Sequence, residues 1–306
     1  MSALVTVCVL TYNPNWIKFR NTLRSIVCQK NVDFDIVISD DGSKEDCFDK
    51  AESFFKENNY NSYKFVKNID NQGTVKNAIS ALQHTDSKYV KLISPGDFLY
   101  DETSLYDFVD FAERNSAVVC FGNSVYYSVN DNGEIEFHNK KRYPKDLTPW
   151  IECDYKKIRR GYFYRRDYIL GASLFCLREY LLGSLFILQD VVKYAEDTFL
   201  MYSITNKDKI LFLNKPFVFY EYGSGISTHM NTNSIVNSDT YNMLDYLYKN
   251  NRITKYELLL GKTKSVIHKL LLTLLVDPLF LFKKLKPSKK IDSEDYGIKR
   301  LKKWLQ

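Results

Sequence analysis

The sequence predicts an α/β fold with a mostly parallel, doubly wound central sheet flanked by helices, an antiparallel addition and a C-terminal helical extension. Three observations carry this reading. The continuous apolar run Leu4 to Leu10 suits a strand buried on both faces of a parallel sheet, and Tyr89 to Ile93 reads as a short buried strand running into a Pro-Gly breaker. Stretches of helical spacing alternate with them, which calls for right-handed crossovers between parallel strands. Each of the first strands also runs into a polar loop, where an open α/β sheet presents its ligand crevice.

Taken in order, Leu4 to Leu10 is the first strand, ending in Thr11-Tyr12-Asn13-Pro14. Asn15 to Cys28 follows as a helix, with Trp16, Phe19, Leu23, Ile26 and Val27 at helical spacing and Asn or Pro chemistry at its start. Phe34 to Ser39 is a strand closing on Asp40-Asp41-Gly42-Ser43, and Lys44 to Asn58 a helix. Tyr63 to Val66 leads to Asn71–Asn77 and a helix through Leu82. Tyr89 to Ile93 runs into Ser94-Pro95-Gly96-Asp97, a breaker followed by a carboxylate at the strand end. A helix from Thr103 to Asn115 comes next.

The pattern then changes. Ala117 to Val129 and Glu134 to His138 flank Asn132-Gly133, a hairpin signal that adds an antiparallel element. Residues 140 to 168 are basic and aromatic and suggest no regular element. Gly171 to Leu188 reads as strand then helix, and Val191 to Ser203 as a helix carrying Glu196-Asp197. Ile210 to Tyr222 is a further strand, followed by the Gly-rich loop Gly223 to His229. The chain reads helical from Asn237 onward. Residues 1–230 are expected to form the catalytic domain and 231–306 the helical extension.

Composition narrows the class. With 45% hydrophobic and 26% charged residues the chain is neither disordered nor fibrous. The net charge of +6 sits wholly in residues 283–306, where nine basic residues face three acids. The remainder is neutral, so no nucleic-acid partner is expected for the main domain. Six cysteines (8, 28, 47, 120, 153 and 176) are scattered without a C-x-x-C pair, which argues for a reducing compartment and against structural zinc. The apolar run Ala3 to Leu10 is too short for a signal peptide or a span, so a cytoplasmic protein is expected.

Several chemistries fail on motif. The first β-α turn has no G-x-G-x-x-G, no G-x-x-x-x-G-K-[ST] occurs, and no G-x-S-x-G elbow is present. What remains is four polar loops at successive strand ends: Thr11 to Asn13, Asp40-Asp41, Asn71 to Asn77, and Ser94 to Asp97. With Val9-Leu-Thr-Tyr-Asn13, Ile38-Ser-Asp-Asp-Gly-Ser43, Asn71-x-Gly-x-x-x-Asn77, Ile93-Ser-Pro-Gly-Asp97 and Glu196-Asp197 in this order, the chain resembles an inverting nucleotide-sugar glycosyltransferase of family 2, with a GT-A fold, over residues 4 to 228.

The resemblance implies roles. Thr11 and Tyr12 would line the base and ribose pocket with Asn13 and Gly73, and Asp41 would accept from the base N–H with Asp40 as helper or turn former. Lys76 would meet the base or diphosphate, while Asn77 would tie its loop to a neighbouring strand. Asp97 would hold a divalent cation, Mg²⁺ or Mn²⁺, although the family's usual Asp-x-Asp-Asp is reduced here to Ser-Pro-Gly-Asp. His229 is a further candidate ligand. Asp197 would be the general base, with Glu196 orienting the acceptor or sharing the task. Arg159, Arg160, Arg165 and Arg166 are candidate diphosphate or acceptor contacts, or else a solvated basic face.

The implied activity is a hexosyl or related transfer from a nucleotide sugar, UDP-linked, to a glycan acceptor on a lipid carrier, in cell-surface polysaccharide synthesis (capsule, O-antigen or lipooligosaccharide). Lys264 to Val276 places an apolar stripe on one helical face, and Leu279 to Phe282 meets the lysine cluster. Such a pattern suits an interfacial helix on the anionic inner membrane surface, or a helix packed on the catalytic domain. The alternatives are a degenerate sugar-nucleotide-binding or scaffolding protein, and a nucleotidyltransferase, whose Gly-rich loop after the first strand is absent.

Overall fold

The computed structural model describes residues 3–130, 132–138, 143–223, 233–263 and 294–305. Strands β1 (Val5–Thr11), β2 (Phe34–Asp40), β3 (Tyr63–Lys67) and β4 (Tyr89–Ile93) alternate with helices α1 (Trp16–Val27), α2 (Phe48–Glu57) and α3 (Thr74–Gln83). β1 and β2 pair in parallel from Val5 with Phe34 to Thr11 with Asp40. β4 joins the other edge of β1, also in parallel. The order β3-β2-β1-β4 therefore reverses direction at β1, and the crevice of such a sheet lies beyond the carboxyl ends of β1 and its two neighbours.

Beyond β4 the sheet continues as β8-β6-β9-β5, formed by β5 (Phe98–Leu99), β6 (Val119–Val129), β8 (Leu174–Leu177) and β9 (Ile210–Glu221). β8 is antiparallel to both β4 and β6, so β6 and β9 again run with β4. The hairpin expected at Asn132-Gly133 is present, with β7 (Ile135–Phe137) antiparallel to β6. Helix α4 (Ser104–Asn115) precedes β6, and the short helices α5 (Thr148–Ile151) and α6 (Tyr155–Arg160) occupy the stretch that suggested no regular element. A single π-type turn, Gly161–Arg165, ends at Arg166 with a left-handed φ of 54°.

Two expectations are corrected. The helix before β3 starts at Phe48 rather than Lys44, because Asp40 captures the Ser43 amide and hydroxyl and the Asp46 side chain accepts from the Phe48 N–H. Val191 to Ser203 is not one helix. After α7 (Arg178–Leu188) the chain is extended and turned through Ala195, makes one 3₁₀ turn at Glu196–Thr198, and only then enters α8 (Phe199–Asn206). Tertiary hydrogen bonds to the amides of residues 193 to 195 override the helical preference there.

Two layers of apolar side chains cover the sheet. One packs Phe19, Leu23 and Ile26 of α1 and Phe108 of α4 against Val5, Val7 and Val9. The other packs Ala78 and Leu82 of α3 and Leu181 and Leu185 of α7 against Cys8 and Val37. Met243, Leu244 and Leu247 of α9 (Asn233–Lys249) belong to this second layer, and Leu258 of α10 (Lys255–Lys262) packs against it. A third cluster joins Phe98, Tyr100, Tyr127 and Phe219 to Leu301 and Trp304 of α11 (Glu294–Leu305). Arg300 of α11 pairs with Asp101 at 2.8 Å, and Lys303 pairs with Glu102. Two cations of the basic tail are thus neutralised against the body of the protein.

All six cysteines are free, and burial pushes the Cys8 and Cys120 thiols up to about 12, as expected of small apolar side chains in strands. No helix among the described residues is long and apolar enough to cross a membrane. His229, the stripe Lys264 to Val276 and the lysine cluster to Lys290 lie outside the described residues.

Candidate active site

The first two strands end in a hydrogen-bonded corner. Thr11 donates its hydroxyl to Asp40 at 3.0 Å, and Asp40, fully buried, also accepts from the Ser43 N–H and O–H at 2.7 and 2.6 Å. Asn13 takes a left-handed φ of 44° and donates its N–H to the Ser43 hydroxyl at 2.6 Å. Tyr12 stands 53% exposed beside this corner. Asp40 is therefore the turn former of the pair.

Asp41 faces the loop before α3. Its carboxylate accepts from the Gln72 N–H at 3.0 Å, the Gly73 N–H at 2.8 Å and the Asn68 amide at 3.0 Å. Three donors leave about one of the roughly four acceptor positions of a carboxylate open. Gly73, with φ of 93°, lies where a Cβ would meet Lys193 at 2.5 Å, so only glycine allows the segment of Lys193 to approach the start of α3. Asn77 is buried and binds the Ser39 carbonyl at 3.1 Å and the Ser39 hydroxyl at 2.6 Å, holding its loop to β2. Lys76 is half-buried one position away, with no ion-pair partner among the described residues.

The turn after β4 is pinned from three sides. Thr22 of α1 accepts from the Gly96 N–H at 3.0 Å and donates to the Asp97 carbonyl at 2.9 Å, while Tyr127 donates to the Gly96 carbonyl at 2.6 Å. Asp97 is buried and accepts the Glu221 N–H at 3.1 Å; burial pushes its carboxyl up to about 7. The Glu221 carboxylate lies against Gly96 and pairs with Lys18 at 2.7 Å. No group of three or more His, Cys, Asp or Glu side chains poised for a metal exists among the described residues. Asp97 nonetheless suits Mg²⁺ or Mn²⁺ chemistry of the kind in which one carboxylate, substrate phosphates and waters complete the shell.

Below this turn, Lys91 of β4 is wholly buried. Its ammonium donates to the Leu92 carbonyl at 2.8 Å and the Ala172 carbonyl at 2.5 Å. Burial lowers its pKa to about 8, against the attraction of Asp97, Cys176 and Glu196.

Asp97, Glu196, Asp197 and Glu221 line one cavity of about 590 Å³. Tyrosines 126, 143, 162, 168, 194, 220 and 222 supply much of its wall, a suitable surface for sugar rings and hydroxyls. Glu196 and Asp197 have raised pKa values, through burial first and, for Glu196, the neighbouring Asp197 next. The Gly171 N–H donates to Asp197. Of the four arginines, Arg166 reaches this cavity, where it also lies 5.5 Å from the Tyr241 ring. Arg159 instead grips Glu257 at 2.6 and 2.9 Å, tying α6 to α10. Arg165 stands near Asp146 at 3.9 Å, and Arg160 is exposed.

Lys91, Glu221 and Asp239 escaped sequence reasoning. Lys91 sits at an inward strand position, an odd place for a lysine, and this was the available signal. Glu221 ends an apolar strand run two residues before Gly223. Asp239 gives no signal, because an acid in a polar helix is ordinary.

The fold has known counterparts. Similar solved structures include S. aureus TarS 1–349 in complex with UDP-GlcNAc, 20% identical with a TM-score of 0.56, covering 98% of this chain and 80% of that one. The same protein in complex with UDP gives 17% identity and a TM-score of 0.54, covering 92% and 76%. A Pyrobaculum calidifontis mannosyltransferase, PcManGT, in complex with GDP-Man and Mn²⁺, is 12% identical with a TM-score of 0.53, covering 100% and 85%. No curated protein matches the sequence. The model of glycosyl transferase family 2 matches residues 6–183, more than half of the chain, and the chain therefore belongs to that family of glycosyltransferases.

Proposed function

We propose that the protein transfers a sugar from a nucleotide donor, UDP-linked, to a hydroxyl of a growing glycan, with inversion at the anomeric carbon. The observation that carries this reading is one cavity lined by both Asp97, just past the end of β4, and Asp197. The nucleotide would lie over the corner of Thr11, Tyr12 and Asn13, with the open position of Asp41 on the base and Lys76 toward the base or diphosphate. The resemblance to structures with UDP and UDP-GlcNAc favours a uridine donor.

Asp197 would take the proton from the acceptor hydroxyl as that oxygen bonds to the anomeric carbon. The bond from that carbon to the diphosphate oxygen breaks on the opposite face, and the nucleoside diphosphate leaves with the electron pair. Asp97 would hold a divalent cation, which when bound neutralises charge on the leaving diphosphate. Glu196, beside Asp197, would orient the acceptor through a second of its hydroxyls. Arg166 and the tyrosine wall would bound the acceptor side. A lipid-linked acceptor at the inner membrane surface, in cell-surface polysaccharide synthesis, fits the basic, apolar pattern of residues 264 to 290.

The test is release of nucleotide from a panel of nucleotide sugars, with Mg²⁺ or Mn²⁺ and then with chelator. Release from one donor, lost with chelator, is expected. Tight nucleotide binding with no release from any donor, with or without sugar acceptors, would favour the binding protein instead.

A further inference from the structure

The residues before the two acceptor-side carboxylates form a strap held at both edges. On one side the Lys193 carbonyl accepts the Val75 N–H at 3.1 Å, joining the strap to the first turn of α3 beside Lys76. On the other, three successive amides converge on the carboxylate of Asp239 in α9. Lys193 donates at 3.3 Å, Tyr194 at 2.6 Å and Ala195 at 3.0 Å. Asp239 is 5% exposed, and no lysine or arginine among the described residues pairs with it. Its charge is answered by those three N–H dipoles, and hydrogen bonds to a buried carboxylate are among the stronger ones available to a backbone. The chain then turns at once into Glu196 and Asp197. Helix α9 also walls the cavity with Val236, Asn237 and Thr240.

We propose that Asp239 is a positioning residue, which fixes the strap and so sets Glu196 and Asp197 in the cavity, making the docking of α9 a condition for an assembled acceptor side. The proposal rests on the reading of Asp197 as base. A short 3₁₀ turn has few internal hydrogen bonds of its own, so its place is inherited from what anchors the preceding residues. Asp239 also acts on Glu196 through space. The charged groups facing Glu196 are Asp197 beside it, Lys91 from β4 and Asp239 from α9; the two acids raise its pKa and Lys91 lowers it.

The experiment compares the full chain with its Asp239→Asn variant, which keeps shape and one acceptor oxygen but not the charge. Three readouts are taken: nucleotide affinity, the kcat profile against pH, and hydrogen exchange of the amides of residues 193 to 195. Nucleotide affinity should hold, because Asp239 touches neither the β1 nor the β2 corner. The kcat should fall about 100-fold, as small displacements of reacting groups do. The limb reporting the Glu196–Asp197 pair should move to lower pH, since a negative neighbour is gone. Exchange at 193 to 195 should accelerate while the core of α9 stays protected. Unchanged exchange at those amides would overturn the proposal whether or not the enzyme turns over. Loss of kcat in step with loss of thermal stability, with the pH limb unmoved, would overturn it as well. Absence of transfer by the unaltered chain would instead count against Asp197 as base, and the exchange arm would still decide what Asp239 holds.

Discussion

Gly171 and Asp197 meet so closely that a methyl group at Gly171 would crowd both Asp197 and Glu196. A Cβ at Gly171 would stand 3.2 Å from the Asp197 Cβ and Oδ2 and 3.3 Å from the Glu196 Oε1. These contacts are tight rather than impossible, so the carboxylates would give by a few tenths of an ångström. Gly171→Ala is expected to fold and bind nucleotide normally while kcat falls about 10- to 100-fold. Steady-state kinetics with a nucleotide titration separate the two effects.

On the proposed mechanism, Asp197→Asn removes the proton acceptor and little else. General-base catalysis is worth about 10²- to 10⁴-fold, and kcat should fall within that range. Calorimetric titration with nucleotide should give an unaltered affinity. Turnover near that of the unaltered enzyme would remove Asp197 from the role.

Asp97 gives a pH signature. Its carboxyl is raised to about 7 by burial, so on the proposed reading the proton must leave before a cation can bind. Metal-dependent donor affinity should climb by up to about tenfold per pH unit below 7 and level off above it. Asp97→Asn should flatten that slope. The same raised value means that the folded protein holds a proton the unfolded chain has lost, so this group's contribution to stability declines as pH rises from about 4 to 7.

Lys91→Met tests the buried ammonium. With its pKa down at about 8, the folded state sheds a proton that the unfolded chain keeps until about 10.5, so stability rises with pH across that interval. The variant should lack that rise, by about 3 kcal/mol in all. Urea denaturation at pH 8 and pH 10 measures it. Loss of the cation should also drive the carboxyls of Asp97 and Glu196 further up, moving the acid limb of activity to higher pH.

Trp304→Ala should cost about 3–5 kcal/mol, the usual range for a buried tryptophan. Trp304 is 2% exposed beneath the turn that follows Asp97. Removing residues 283 to 306 would therefore strip part of the core as well as the basic cluster. Point substitutions at Lys283, Lys284, Lys289 and Lys290, read by sedimentation with anionic vesicles, are the cleaner test of membrane attachment.

The parallel half of the sheet was legible because its strands are mostly apolar and its loops carry turn residues, as at Asp40-Asp41-Gly42 and Ser94-Pro95-Gly96. Asn15 as the cap of α1 was legible for the same local reason, its side chain accepting the Lys18 N–H. The segment 191–203 was misread because its apolar spacing does suit a helix, and what breaks it is Asp239, far along the chain. The short helices from Thr148 to Arg165 lack both periodicity and length. Arg159 could not be separated from Arg166 in the sequence, since only folding turns one to Glu257 and the other to the cavity. Lys91 shows the limit most plainly: its neighbours arrive from β8 and from the Glu196 turn, and no local pattern announces them.

The packing of α11 has a consequence for the order in which the protein matures. Phe98, Tyr100 and Tyr127 lie early in the chain, yet the side chains that complete their cluster are Leu301 and Trp304. While the ribosome is still making the middle of the molecule, β1 to β4 can pair, but the underside of the Asp97 turn stays open to water. A nascent chain can thus have the corner of Thr11, Asp40 and Asp41 in place while the floor beneath the Ser94–Asp97 turn is still incomplete. That floor closes only when the segment 294–305 emerges and brings Leu301 and Trp304 to it.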